Sequence, residues 1–200
     1  MRAERLLLDA KTAMTTHTVV LIAGDGIGPE VTEAVTRVLE QAGAPIEWLP
    51  CLAGVAALEA TGEVLPAATV EAIDRHKVAL KGPCTTPVGK GFSSVNVQLR
   101  KGLDLYAAVR PVRSVPGVKT RFENVDLVIV RENTEGLYAG VENRLTDDVV
   151  MSMKVTTQSG CRRIAHWAFR YATQRKRSKI SVFHKANIMK MTDGLFIECA

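Results

Sequence analysis

Aromatic residues are scarce, at 5% of 200 residues. Any core must therefore be built mostly from Val, Ile, Leu and Ala, and a chain that is 46% hydrophobic and 24% charged has an ordinary globular supply of them. No apolar run approaches the roughly 20 residues that span a bilayer, so no membrane partner is expected. The 4 cysteines (Cys51, Cys84, Cys161, Cys199) form no Cys-x-x-Cys pair, and no histidine stands at finger spacing. Reduced thiols in a cytoplasm-like compartment are expected, or in the mitochondrial matrix for a eukaryotic source. The opening segment MRAERLLLDAKTA has only a short apolar triplet and carries Glu4 and Asp9. It lacks the long apolar stretch of a secretory signal and the acid-poor composition of a transit peptide. Residues 1–17 are expected to form a short N-terminal extension, with Met14 as a candidate start.

The net charge is +5. Arg162, Arg163, Arg170, Arg175, Lys176, Arg177 and Lys179 crowd together. Such a patch can serve nucleic acid or be the solvated face of a helix with its trailing loop. With little aromatic interleaving and no nucleic-acid motif, no nucleic-acid partner is expected.

What is present is an alternation of strand and helix signals. Thr18 to Ala23 (TVVLIA) is a β-branched run suited to a strand buried on both faces. The turn Gly24-Asp25-Gly26-Ile27-Gly28 follows. Pro29 then fits the first helical position, Val31, Val35, Val38 and Ala42 continue at helical spacing, and Gly43 marks the stop. Further strands are predicted at 46–49, 77–81, 105–109, 126–130, 149–156 and 179–183. Helices are predicted at 66–75, 94–101, from Ser159 or Gly160 to about Thr173, and at 189–200. The polar stretch holding Tyr138 is assigned no element. The order predicts an α/β fold.

The GDGIG turn alone is weak evidence, because Pro29 stands where the dinucleotide fingerprint G-x-G-x-x-G needs its third glycine. The segment GPCTTPVGKGFSSVNVQLRKGLDLYAAVRP from Gly82 says more. Asn96 and Arg100, four apart, share a helix face. Ser94 stands near that helix's N-terminus, where a hydroxyl and free N–H groups can meet an anion. Arg110 and Arg131 are predicted at the ends of apolar strands, a common place for α/β sites. Guanidinium groups bind carboxylates in bidentate fashion. Three arginines with Ser and Asn suit a small polyanion; the same residues could equally form surface ion pairs. Tyr138 and Lys185 can transfer protons when tuned. Lys185 and Asn187, two apart, would point the same way in an extended segment.

Taken together, GDGIGPE at 24–30, LKGP at 80–83, SVNVQLRKGLDLYAAVRP at 94–111, RENTEGLYAG at 131–140 and HKANIMKMTDGLF at 184–196 resemble the isocitrate and isopropylmalate dehydrogenases. The resemblance runs from about Thr18 to the last residue. It implies an α/β isocitrate/isopropylmalate dehydrogenase-like fold, with an incomplete large domain and much of the smaller one. Residues 18–109 would open the large domain and 110–200 would belong to the small, dimerising domain. Ser94-x-Asn96 ahead of Arg100 is similar to isocitrate enzymes, where the pair faces the substrate's extra carboxylate. Isopropylmalate enzymes place leucines there, and an apolar pocket would leave a third carboxylate unpaired. The run through Pro111 and RENTEGLYAG is most similar to the NAD-linked, catalytic-subunit type.

By that resemblance, Ser94, Asn96, Arg100, Arg110 and Arg131 would hold isocitrate, Lys185 would act on the C2 hydroxyl proton, and Tyr138 would protonate the enol left after decarboxylation. Thr86 and Asn187 would lie near the nicotinamide of NAD. A divalent Mg or Mn would assist as Lewis acid. Lys185 and Asn187 would project into a neighbouring subunit's site, which makes a homodimer or higher oligomer the expected state. The family's metal aspartates are expected beyond Ala200, so no residue here is assigned to metal, neither Asp193 nor Asp126. The chain is accordingly expected to be an inactive piece on its own, with apolar surface uncovered. Isopropylmalate, homoisocitrate or tartrate dehydrogenase, and a non-catalytic regulatory or structural subunit, remain the alternatives.

Overall fold

The TVVLIA run forms strand β1 (His17–Ile22), whose Val20 and Ile22 are fully buried. In the computed structural model, which describes residues 15–85 and 94–200, β1 is the middle of a three-stranded parallel sheet. It lies between β2 (Ile46–Pro50) and β3 (Ala79–Lys81). Helix α1 (Gly28–Gln41) leaves the glycine turn with Pro29 in its first turn. Gly24 has φ +82, and a Cβ there would strike the Pro83 carbonyl oxygen, so the turn needs glycine on two counts.

The expected stripe of α1 is not its buried face: Val31, Val35 and Val38 are exposed and Thr32 is buried. Thr32 donates its hydroxyl to the Ala23 carbonyl at 3.2 Å, which draws that side of the helix onto the sheet. Helix α2 (Val55–Thr61) has no counterpart in the sequence reading. Helix α3 (Ala67–His76) leads into β3 through Lys77, whose positive φ ends the helix. By internal contacts the chain divides into a unit ending at Leu99 and a unit beginning at Arg100. Helix α4 (Val95–Gly102) runs through that division.

In the second unit β4 (Ala107–Arg113) and β5 (Asp126–Glu132) form one antiparallel ribbon. β6 (Gly136–Arg144) and β7 (Val150–Val155) form another, with an irregular register between Gly136 and Val141. The stretch holding Tyr138 is thus a strand. Its acidic and glycine residues hide the pattern, and pairing with β7 supplies it.

Helix α5 (Gln158–Gln174) starts at Thr157, whose side chain accepts from the Gly160 N–H at 3.0 Å. It buries Cys161, Ile164, Ala165 and Ala172 at helical spacing. Helix α6 (Thr192–Cys199) follows. The strand expected at 179–183 does not form: Ile180, Val182 and Phe183 are exposed and have no pairing strand among the described residues. A β-prone run needs a neighbour to become a strand. No described helix is long and apolar enough to cross a membrane.

Candidate active site

The β4–β5 ribbon brings two predicted anion-binding residues onto one face. Arg110 pairs across from Ile129, and Arg131 pairs across from Ala108. Directly paired residues share a face, so Arg110 and Arg131 stand diagonally on the same side. This corrects the expectation that Arg110 ends its strand: β4 continues through Pro111 to Arg113. Both arginines are exposed, beside Val112, Leu127 and Ile129.

Arg131 also meets Tyr138. Its Nη2 donates to the phenol oxygen at 2.6 Å, with the guanidinium carbon 5.0 Å from the ring centre. The irregular register of β6 falls around Tyr138. There Lys101 from α4 donates its ammonium to the Ala139 carbonyl at 3.0 Å.

Among the described residues, the ion-paired arginines are Arg113, Arg163 and Arg177. Arg100, Arg110 and Arg131 pair with no carboxylate there. Among the described residues, surface ion pairs do not account for these three. Ser94 caps α4 at the backbone level, its carbonyl accepting from the Gln98 N–H at 2.9 Å. Asn96 and Arg100 follow on that helix, one turn apart.

Lys185 and Asn187 are both exposed, but the segment is a turn rather than extended. The Ile188 and Met189 N–H groups both donate to the Lys185 carbonyl, at 3.0 and 2.8 Å. The Lys185 N–H donates to Asp193 Oδ2 at 2.6 Å, and Asp193 Oδ1 is ion-paired with Lys154 of β7. The Lys154 ammonium, then the Lys185 amide, hold the Asp193 carboxyl below its ordinary range. Arg131, Tyr138, Lys154, Cys161, Phe183 and Asp193 line one open cleft of about 400 Å³. Thr86 lies outside the described residues.

Sequence reasoning missed Asp193 as the acceptor of the Lys185 N–H, Lys154 as the ion-pair partner of Asp193, and Asp25. Asp25 accepts from the N–H groups of Val55 (3.0 Å), Ala56 (3.1 Å) and Thr85 (2.8 Å). It caps α2 and ties down the start of the CTTP loop. Burial works to raise its pKa, but the three backbone bonds together with the Lys81 charge outweigh it and the net shift is downward. The Thr-Asp-Gly ahead of an apolar run was a helix-start signal that could have singled out Asp193. Nothing local points from Asp25 to a helix 30 residues away.

The metal and NAD can be tested against these residues. Among the described residues no three His, Cys, Asp or Glu converge as a metal site. Asp193 is taken by Lys154, and Asp126 by Arg177 and Arg113. The described residues thus do not fit a metal centre. For NAD, one exposed asparagine is not a pocket.

A parallel sheet entered by a glycine turn, followed by two antiparallel ribbons that carry Arg110, Arg131 and Tyr138, defines an α/β protein. Comparison narrows the class: residues 18–200 match the isocitrate/isopropylmalate dehydrogenase family model, and the chain belongs to that family. It is 48% identical over 94% of its length to an Arabidopsis thaliana protein named as a mitochondrial NAD isocitrate dehydrogenase catalytic subunit, of which it covers 50%. It is 48% identical over 90% of its length to a Solanum tuberosum chloroplastic 3-isopropylmalate dehydrogenase, again covering 50%. It is 49% identical over 90% of its length to a Dictyostelium discoideum regulatory subunit of NAD isocitrate dehydrogenase, covering 49%. The crystal structure of isocitrate dehydrogenase from Methylococcus capsulatus matches with TM-score 0.87 and 48% identity, over 92% of this chain and 55% of that one. The chain spans about half the length of the curated relatives it matches. The fold is that of this family, with the large domain incomplete.

Proposed function

We propose that this chain is the substrate-gripping and proton-transferring portion of an NAD-dependent isocitrate dehydrogenase, which oxidises isocitrate and releases carbon dioxide to give 2-oxoglutarate. The observation that carries the reading is the set of three arginines with no carboxylate partner among the described residues. A tricarboxylate would supply those partners. Arg110 and Arg131 would clamp carboxylates from one ribbon face. Ser94, Asn96 and Arg100 would take the remaining carboxylate, which an apolar pocket would reject. Residues 18–109 would belong to the large domain and 110–200 to the small one.

Lys185, presented by a neighbouring subunit, would take the C2 hydroxyl proton. By the family resemblance, Thr86 and Asn187 would be the residues that hold NAD, which would supply the hydride acceptor. Tyr138 accepts a hydrogen bond from Arg131, so its own proton is directed elsewhere. It would deliver that proton to the carbon that loses carbon dioxide. The family's Mg or Mn finds no donor set among the described residues, and no step here is routed through it. The working assembly is a homodimer or higher oligomer, in the cytoplasm or, as the relatives' mitochondrial names favour, in the mitochondrial matrix.

The test is NADH formation by a full-length family protein carrying this sequence, supplied with Mg or Mn and isocitrate, isopropylmalate, homoisocitrate or tartrate in turn. Turnover on isocitrate is expected. Turnover confined to another substrate would sink the isocitrate assignment. A second reading, a regulatory subunit, is favoured by the Dictyostelium likeness. It requires that the purified protein turn over only when mixed with a catalytic partner.

A further inference from the structure

The Lys185 peptide is held at both ends. Its carbonyl accepts from Ile188 and Met189, and its N–H goes to Asp193 Oδ2 at 2.6 Å. Asp193 is 7% exposed, at the start of α6. Its other oxygen is ion-paired with Lys154, and Lys154 Nζ also reaches Met189 Sδ of the same turn at 3.7 Å. The Asp193 N–H returns to the Met189 carbonyl at 3.0 Å, closing the turn on itself. One strand lysine thus touches the turn twice, once through the carboxylate and once directly.

A half-buried ion pair is weak evidence for stability, since well-packed apolar residues often serve as well. An apolar pair could not accept the Lys185 amide. We propose that Lys154 and Asp193 are positioning residues, which fix the Lys185 turn so that the Lys185 and Asn187 side chains are presented outward in a set direction. The proposal rests on the reading of Lys185 as a proton-transfer residue. Fixing the backbone at both ends is how a flexible lysine acquires a defined reach.

The test uses a full-length family protein carrying this sequence, assayed with isocitrate and NAD. Asp193→Asn and Lys154→Met should lower kcat about tenfold or more with KM within about threefold, the pattern of a misplaced group rather than lost binding. Lys154→Arg, which keeps a cationic N–H donor for Asp193, should recover most of the rate. Hydrogen exchange over 183–190 should quicken in Asp193→Asn while the middle of α5 is unchanged. Asp193→Glu, milder by design, guards against misfolding and should show the same two changes in smaller degree. Parent-like kcat and exchange in these variants overturn the proposal, as does a rise in KM alone. If Lys185→Met keeps parent activity, the reading of Lys185 itself fails. If Lys185→Met is inactive while the pair variants behave as the parent, only the positioning proposal fails.

Discussion

Arg131 and Tyr138 meet through a 2.6 Å hydrogen bond in which the guanidinium donates to the phenol oxygen. The two come from different ribbons, β5 and β6. Under the proposed function, their contact would join an anion grip to a proton donor. Replacing Tyr138 with Phe should therefore lower kcat by about 10²–10⁴, the usual worth of a positioned acid, with little change in KM. Replacing Arg131 with Lys removes the bidentate fork and should raise the KM for isocitrate as well. Steady-state kinetics on both variants check this; an unchanged kcat in Tyr138→Phe contradicts it.

Asp25 joins the glycine turn to α2 and to Thr85. Asp25→Ala deletes the cap of α2 and the tie to Thr85, and should cost about 1–2 kcal/mol. The sign with pH follows from the lowered carboxyl pKa. The stabilisation is fully present above the unfolded value of about 3.9 and fades as pH falls through the lower folded value. Urea midpoints of parent and variant should differ at neutral pH and approach each other in acid.

Gly24→Ala should be more damaging than its small size suggests. The residue has φ +82, and the new Cβ would strike the Pro83 carbonyl oxygen. A loss of about 2 kcal/mol or more is expected, from strain and displacement of the 82–85 loop together. Thermal unfolding of the variant measures it.

Cys161 should resist alkylation. Burial first, and then the neighbouring Cys199 and Glu135, push its thiol up to about 11. At pH 8, three units below that value, about one thiol in a thousand is thiolate. Mass spectrometry after brief iodoacetamide treatment should find Cys161 unmodified, and rapid labelling would contradict its placement in the α5 core.

The strand β1 and the ends of helix α1 were legible because β-branched runs and turn chemistry are local, but the buried face of α1 was not, since Thr32 rather than the valine stripe faces the sheet. Helix α2 was not, since its cap comes from Asp25 on another turn. The strand at β6 was hidden because Gly136 and Gly140 adopt positive φ and the register slips between Gly136 and Val141. The run 179–183 looked like a strand, yet β propensity cannot supply a partner. For the candidate site, the residue types were readable from five ordered motifs. The contacts Arg131–Tyr138 and Lys154–Asp193 were not, because each joins segments whose approach depends on tertiary packing.

Under the proposed function, Ser94, Asn96, Arg100, Arg110 and Arg131 would read a tricarboxylate. The most direct measurement is kcat/KM for isocitrate and isopropylmalate in a full-length family protein carrying this sequence, before and after Ser94→Leu with Asn96→Leu. The account predicts that the parent prefers isocitrate and that the double variant loses about 10²-fold or more of that preference. A parent that turns over isopropylmalate as well as isocitrate, or a double variant with unchanged preference, would contradict it.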